Sequence, residues 1–210
     1  MSQQLAFYFD ADACSGCKTC QIACKDKNDL PLGVLWRRVY EVTGGDWQRK
    51  GAAWAHNLYA YNVSLACNHC KEPVCLKSCP AKAIVKRSDG IVLIDETKCM
   101  GCRYCEWVCP YGSPQFNTEK GVMTKCNLCV DYVEKGRNPS CVDSCPMRAM
   151  DFGNYDDLVE KYGDKDDIYP LPNRHHTDPS ILLHPHRSAT KVDLIKPEIV
   201  NLEEVRPEEG

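Results

Sequence analysis

"KCMGCRYCEWVCPYG", residues 98–112, sets four cysteines at 99, 102, 105 and 109 and a proline directly after the last. Four thiols so close together are poorly placed to pair as disulfides, which need partners at suitable Cα separations. They are well placed to wrap one inorganic centre. The same device recurs along the 210 residues, whose sixteen Cys lie at 14, 17, 20, 24; 67, 70, 75, 79; 99, 102, 105, 109; and 126, 129, 141, 145. They form four groups of four with no remainder, so a metal or cluster protein is expected rather than a disulfide framework.

Zinc and iron–sulfur centres both accept four thiolates, and spacing separates them. Cys99 to Pro110 matches the ferredoxin run C-x2-C-x2-C-x3-C-P, in which the fourth Cys serves another cluster. Cys14 to Cys24 repeats that spacing but ends in Lys25. Cys67 to Pro80 and Cys126 to Pro146 widen the middle gap. Four such runs, three of them ending in Cys-Pro, favour iron–sulfur over a zinc scaffold. Reach explains the pattern. Three close cysteines curl round one cubane, while the fourth opens the next turn and projects toward a neighbour; the proline after it fixes φ there. Each centre should combine three residues of one run with the last of another. Sixteen thiolates then make four [4Fe–4S] clusters, and a chain stapled in this way should fold poorly without them.

Net charge is −3 with both signs plentiful, which does not suggest a nucleic-acid partner. No run of 18 apolar residues predicts a membrane span, and "MSQQLAFYFDADAC" reads as no secretory signal of its own. "LAFYF" predicts a strand entering the first run, "AIVKRSDGIVLID" (83–95) a hairpin about Asp89-Gly90, "RAMDFGN" a strand, and "YDDLVEKYG" a helix stopping at Gly163. Residues 31–63 form a cysteine-free insertion, expected as two strands about a turn at "TGGDW", with its Trp and Tyr as packing residues. "DADACSGCKTCQIAC" and "IDETKCMGCRYCEWVC" look like copies of one unit. The fold expected is α+β: two ferredoxin-like double-cluster modules of short hairpins and helices, 1–30 with 120–163 and 64–119, plus the inserted hairpin 31–63. The tail 164–210, rich in proline and charge, is expected as an extended arm on the body or on a partner, covering Ile181, Leu182, Leu183 and Ile195. His175, His176, His184 and His186 fall in that tail and are expected at a surface or interface. No catalytic set and no glycine-rich nucleotide loop is apparent.

With "CSGCKTCQIACKD", "GGDWQ", "SLACNHCKEPVC", "CMGCRYCEWVCPYGSPQFN", "MTKCNLC" and "CVDSCPMRAMDFG" in view, the chain resembles the four-cluster electron-transfer subunits of the molybdopterin oxidoreductases. "RRVYEVTGGDWQ" and "CPYGSPQFN" point to their anaerobic dimethyl sulfoxide reductase branch. The resemblance implies a pairing of Cys14, Cys17 and Cys20 with Cys145; Cys126, Cys129 and Cys141 with Cys24; Cys67, Cys70 and Cys75 with Cys109; and Cys99, Cys102 and Cys105 with Cys79. It implies a relay running from the Cys14 cluster, beside a molybdopterin-containing catalytic subunit, through the Cys126 and Cys67 clusters. The relay ends at the Cys99 cluster, close to an integral membrane quinol-oxidising anchor subunit. The assembly would be a heterotrimer held at a membrane, with this chain peripheral and possessing no span. Tetrathionate, polysulfide, thiosulfate and formate systems use similar relays, and a free-standing polyferredoxin is the other alternative. Lys18, His69, Lys98, Arg103 and Lys125 are candidates for tuning cluster potentials. Tyr104 and Trp107 are expected to shield the third run from water.

Overall fold

The structure, a computed structural model, describes residues 3–164, 168–189 and 196–205. The chain opens with β1 (Leu5–Asp10), passes the first cysteine loop into α1 (Thr19–Lys27), and enters the insertion through β2 (Arg38–Gly44), β3 (Trp47–Lys50), β4 (Ala53–His56) and β5 (Tyr59–Leu65). Next come α2 (Val74–Ser78), the hairpin β6 (Ile84–Lys86) and β7 (Val92–Ile94), α3 (Tyr104–Val108), and the hairpin β8 (Gln115–Asn117) and β9 (Val122–Thr124). Single turns α4 (Val130–Val133), starting directly after Cys129, and α5 (Ser140–Asp143), holding Cys141, lie within the last cysteine run. β10 (Met150–Asn154) and α6 (Tyr155–Tyr162) follow, then β11 (Ile181–His184), β12 (Glu198–Ile199) and α7 (Leu202–Val205) in the tail. The chain is thus a mixed α and β structure of short helices and small sheets.

β1 is an unbroken apolar run because it is the middle strand of a three-stranded sheet. β10 pairs antiparallel on one side, Phe9 opposite Met150, and β11 parallel on the other, Phe7 opposite Ile181. Alternation then splits its side chains. Leu5, Phe7 and Phe9 join the main core, while Ala6 and Tyr8 pack with Leu182 against Tyr155 and Leu158 of α6. α6 begins where Asn154 accepts the Asp156 amide, with Asp156 and Asp157 in its first turn and Lys161 in its last, in keeping with the helix dipole. It ends at Gly163, as its sequence signals.

The insertion differs from the expectation. "TGGDW" is not its turn. β2 pairs with β5, and the chain continues past Gly45 into a second ladder, Trp47 opposite His56, whose tip lies at Gly51 and Ala52. Gly45 has φ +96, and a Cβ there would strike the Asn57 backbone. Its glycine serves a kink and close approach within one long hairpin. The aromatic residues divide accordingly. Trp36, Tyr40 and Tyr61 at the root are buried, as packing residues should be, whereas Trp47 and Trp54 at the tip are exposed.

The described parts of the tail lie on the body. β11 completes the sheet of β1, β12 adds to β2, and Ile181, Leu182 and Leu183 are buried. Ile195 lies outside the described residues. His175 and His176 sit on an exposed turn, and His184 ends β11; His186 stacks on Tyr61 with its Nε2 3.5 Å from Asp12. Among the described residues no helix is long and apolar enough to cross a membrane.

Candidate metal centres

The four cysteine runs share a backbone shape more closely than a sequence. The second residue after the first Cys has positive φ in all four: Gly16 (70°), His69 (42°), Gly101 (69°) and Leu128 (61°). Lys18 and Arg103, each following the second Cys of its run, repeat the left-handed turn at 60° and 62°. Such turns curl the chain so that successive thiols and amides face one centre. The Cys-Pro turns also repeat. The amides of Lys82, Gly112 and Arg148 donate to the carbonyls of Cys79, Cys109 and Cys145, and all three residues have positive φ.

These loops gather the thiols into sets. Cys14, Cys17, Cys20 and Cys145 line one cavity; Cys67, Cys70, Cys75 and Cys109 line a second; Cys79, Cys99, Cys102 and Cys105 line a third. Cys24 faces Cys141 and Cys129, while Cys126 faces Cys24 and Cys141. This fourth group forms where α1 packs on α5. In each set three thiols come from one run and one from another. The sets also follow an order. Cys20 lies in electrostatic reach of Cys141, Cys126 of Cys67, and Cys75 shares an apolar cluster with Cys105. Cys17 and Cys102, in the two outermost sets, are the exposed thiols.

The surroundings suit an anionic centre. Among the described residues no three His, Cys, Asp or Glu side chains converge closely enough to hold a single metal ion. Amides already aim at sulfur: Ala83 at Cys79 (3.3 Å), Ser113 at Cys109 (3.5 Å), Met123 at Cys99 (3.4 Å) and Leu128 at Cys126 (3.4 Å). Buried donors without a partner remain at Arg37 Nε and Nη2, Asn68 Nδ2 and His69 Nε2, an arrangement that interiors normally avoid. Burial pushes the Cys14 thiol up to about 11, and those of Cys24, Cys70, Cys75 and Cys105 up to about 12. Cys17, near the surface, moves the other way, held down chiefly by the Thr19 hydroxyl. These protons are displaced when iron binds, so loading is coupled to proton release.

The tuning candidates fare differently. Lys18 is bridged to Glu41 and Glu204, Lys98 to Asp95, and Arg103 to Glu106. His69 is fully buried; its Nδ1 accepts the Val92 amide, and burial, then Lys125 and Lys86, hold its imidazole neutral. Lys125 is buried in the wall of the Cys67 cavity, donating to the carbonyls of Val92 and Cys126. The shielding expected of Tyr104 and Trp107 is not seen. Both are exposed, and Pro80, Ala81, Ile84, Ile94, Met100 and Met123 line the cavity instead. Arg37 and Ser64, which the sequence did not single out, lie among the thiols.

The 4Fe-4S dicluster domain family matches residues 58–155. An anaerobic dimethyl sulfoxide reductase chain of Escherichia coli K12 is 50% identical over 90% of this chain and 92% of its own length. Its counterpart in Haemophilus influenzae is 48% identical over 89% and 92%. A tetrathionate reductase subunit of Salmonella typhimurium is 34% identical, over 92% of this chain and 67% of the relative.

Proposed function

Because this protein belongs to the iron–sulfur electron-transfer subunits of the dimethyl sulfoxide reductase family, we propose that it relays single electrons within a heterotrimer. The donor is an integral membrane quinol-oxidising anchor subunit. The acceptor is a molybdopterin-containing catalytic subunit that reduces dimethyl sulfoxide or a related S- or N-oxide. The chain itself is an electron-transfer subunit of a reductase, not its catalyst, and it takes [4Fe–4S] clusters. It lies as a peripheral subunit against the membrane partner.

The ligand sets are assigned as Cys14, Cys17, Cys20 and Cys145; Cys24, Cys126, Cys129 and Cys141; Cys67, Cys70, Cys75 and Cys109; and Cys79, Cys99, Cys102 and Cys105. In this assignment, residues 1–30 with 120–163 and residues 64–119 act as two ferredoxin-like modules, and the tail straps the first. When bound, the clusters supply one-electron storage at each site. The protein's own residues do the rest. Left-handed turns point amides at sulfur, apolar walls exclude water, and shared elements hold adjacent sites in sequence.

The observation that carries this reading is the order of the four thiol sets, with one exposed thiol at each outer end. An electron needs thin insulation only where it enters and leaves. The test is Cys102→Ser in the complex purified without oxygen. EPR after dithionite reduction is expected to show one altered cluster and three intact. Quinol-linked turnover should fall much further than turnover of a catalytic subunit fed by dye. Equal losses in the two assays would remove the Cys99 site from the membrane end. Elution of the native protein without any larger subunit would favour the free polyferredoxin.

A further inference from the structure

Arg37 stands immediately before β2 and is only 2% exposed. Its guanidinium carbon lies 4.7 Å from the Phe7 ring centroid, and Nη1 donates to the Ser64 carbonyl (3.4 Å) and hydroxyl (3.1 Å). That hydroxyl is 3.3 Å from Cys20 Sγ. Nε and Nη2 are buried without partners, and among the described residues no carboxylate pairs with the side chain. Four thiols lie within its electrostatic reach: Cys141, Cys20, Cys126 and Cys24. Cys20 belongs to one set, and the other three belong to the next.

A buried cation with no protein anion is unfavourable unless something anionic joins it. Four thiolates around a cluster bring that charge to either side of Arg37, and reduction adds one more negative charge. We propose that Arg37 is a shared positioning residue: one guanidinium between the Cys14 and Cys126 sites that favours the reduced state of both, coupled to Cys20 through Ser64. The two farther sites do not share it. This inference rests on the ligand assignment above. Fixed charge and hydrogen bonds to sulfur are recognised controls of cluster potential. Arg37 supplies the charge to two sites at once, and Ser64 extends the hydrogen bonding to one.

The test uses the assembled complex, with Arg37→Gln, Arg37→Lys and Ser64→Ala compared by EPR-monitored redox titration and by iron and sulfide content. In Arg37→Gln, reduction of two clusters should be disfavoured at least tenfold, a fall of about 59 mV for a one-electron couple. The other two clusters should be unchanged. Arg37→Lys should restore most of the loss, and Ser64→Ala should lower one potential by less. Four unchanged potentials in Arg37→Gln, or four shifted alike, would overturn the proposal. If Arg37→Gln fails to hold clusters, Arg37→Lys must still hold all four and Ser64→Ala must still shift one site alone. Loss of clusters in Arg37→Lys as well, or no shift in Ser64→Ala, would show that Arg37 only fills space. Failure of the underlying assignment looks different: the unaltered protein would then lack about sixteen irons.

Discussion

Two of the thiol sets use the same formula in opposite surroundings. Around Cys126 all four members are buried, none more than 7% exposed. Around Cys99, Cys102 is exposed, Cys79 and Cys99 are half-buried, and Met100, Tyr104 and Trp107 project into solvent beside them. The difference arises from what covers each loop. Cys24 and Cys141 of the Cys126 set sit on α1 and α5, which pack on each other, and at the root of the insertion Trp36 Nε1 donates to Thr124 Oγ1, two residues before Cys126. The Cys99 loop is backed by the β8–β9 hairpin, but little lies over it. Between these two sets depth follows chain order: segments far apart in sequence converge on the Cys126 set, while near neighbours close the Cys99 set. The inner site is therefore the structural keystone, and the outer one is the port of the proposed relay.

The harshest way to break that contrast is to remove one ligand from each. Cys126→Ser leaves a buried hydroxyl where, in the proposed assignment, a thiolate helps tie residue 24 to residues 126–141. The expected result is almost no soluble protein and loss of iron from every site, because ligand binding and folding are coupled. Cys102→Ser should leave the protein folded with at least about three-quarters of its iron. Iron and sulfide per chain after anaerobic purification decide the matter. Equal iron contents in the two variants would show that the deep site staples nothing.

A second test compares how the loops make their left-handed turn. The outer loops use Gly16 and Gly101. The inner ones place side chains there, His69 and Leu128, both almost fully buried. At those inner positions the strain of positive φ is offset by packing. Leu128→Ala should therefore destabilise by about 2–5 kcal/mol, as core truncations do, read as earlier thermal bleaching of cluster absorbance. A change below about 0.5 kcal/mol, typical of surface positions, would mean that Leu128 is not anchoring its loop.

These positions also mark what could be read in advance. The cysteine runs were legible because their information is local: spacing marks all four, and a proline directly after the last Cys marks three. α6 was legible from "YDDLVEKYG" and its stop at Gly163. Leu128 and His69 carry no mark of positive φ, since such side chains normally avoid it. "TGGDW" has the chemistry of a turn, yet Gly45 serves a kink, and only pairing of Trp47 with His56 reveals it. β11 lies among prolines, and its strand character depends on β1, more than 170 residues earlier. Arg37 had no signal, because "WRR" reads the same whether its arginines meet water or sulfur.

A milder change sharpens the contrast at the ports themselves. At Gly101, φ is +69 and a Cβ would overlap the Gly121 carbonyl oxygen, a backbone atom of the β8–β9 turn. At Gly16, φ is +70 but the obstruction is the Asn62 side-chain amide, which can swing aside. Gly101→Ala should cost about 1–3 kcal/mol and Gly16→Ala less, with the first variant losing one cluster earlier on heating. If Gly16→Ala proves the more damaging, the hairpin is not what backs the Cys99 loop.

Trp107→Ala is the smallest change expected in the isolated fold and the one that best defines a port. The side chain is 73% exposed and meets Tyr104 edge-on, with ring centroids 6.3 Å apart. Removing it should alter stability by no more than about 0.5 kcal/mol and leave all four potentials where they were. An exposed tryptophan beside exposed Met100 and Tyr104 has the composition of an interface anchor. Its loss should weaken the hold of the proposed membrane partner and slow quinol-linked turnover, while dye-fed turnover is unaffected. The two assays run on one preparation make the point internally controlled. Were quinol-linked turnover also unchanged, the exposed aromatic rim would be surface decoration, and the place where electrons enter would have to be sought at the other exposed thiol, Cys17.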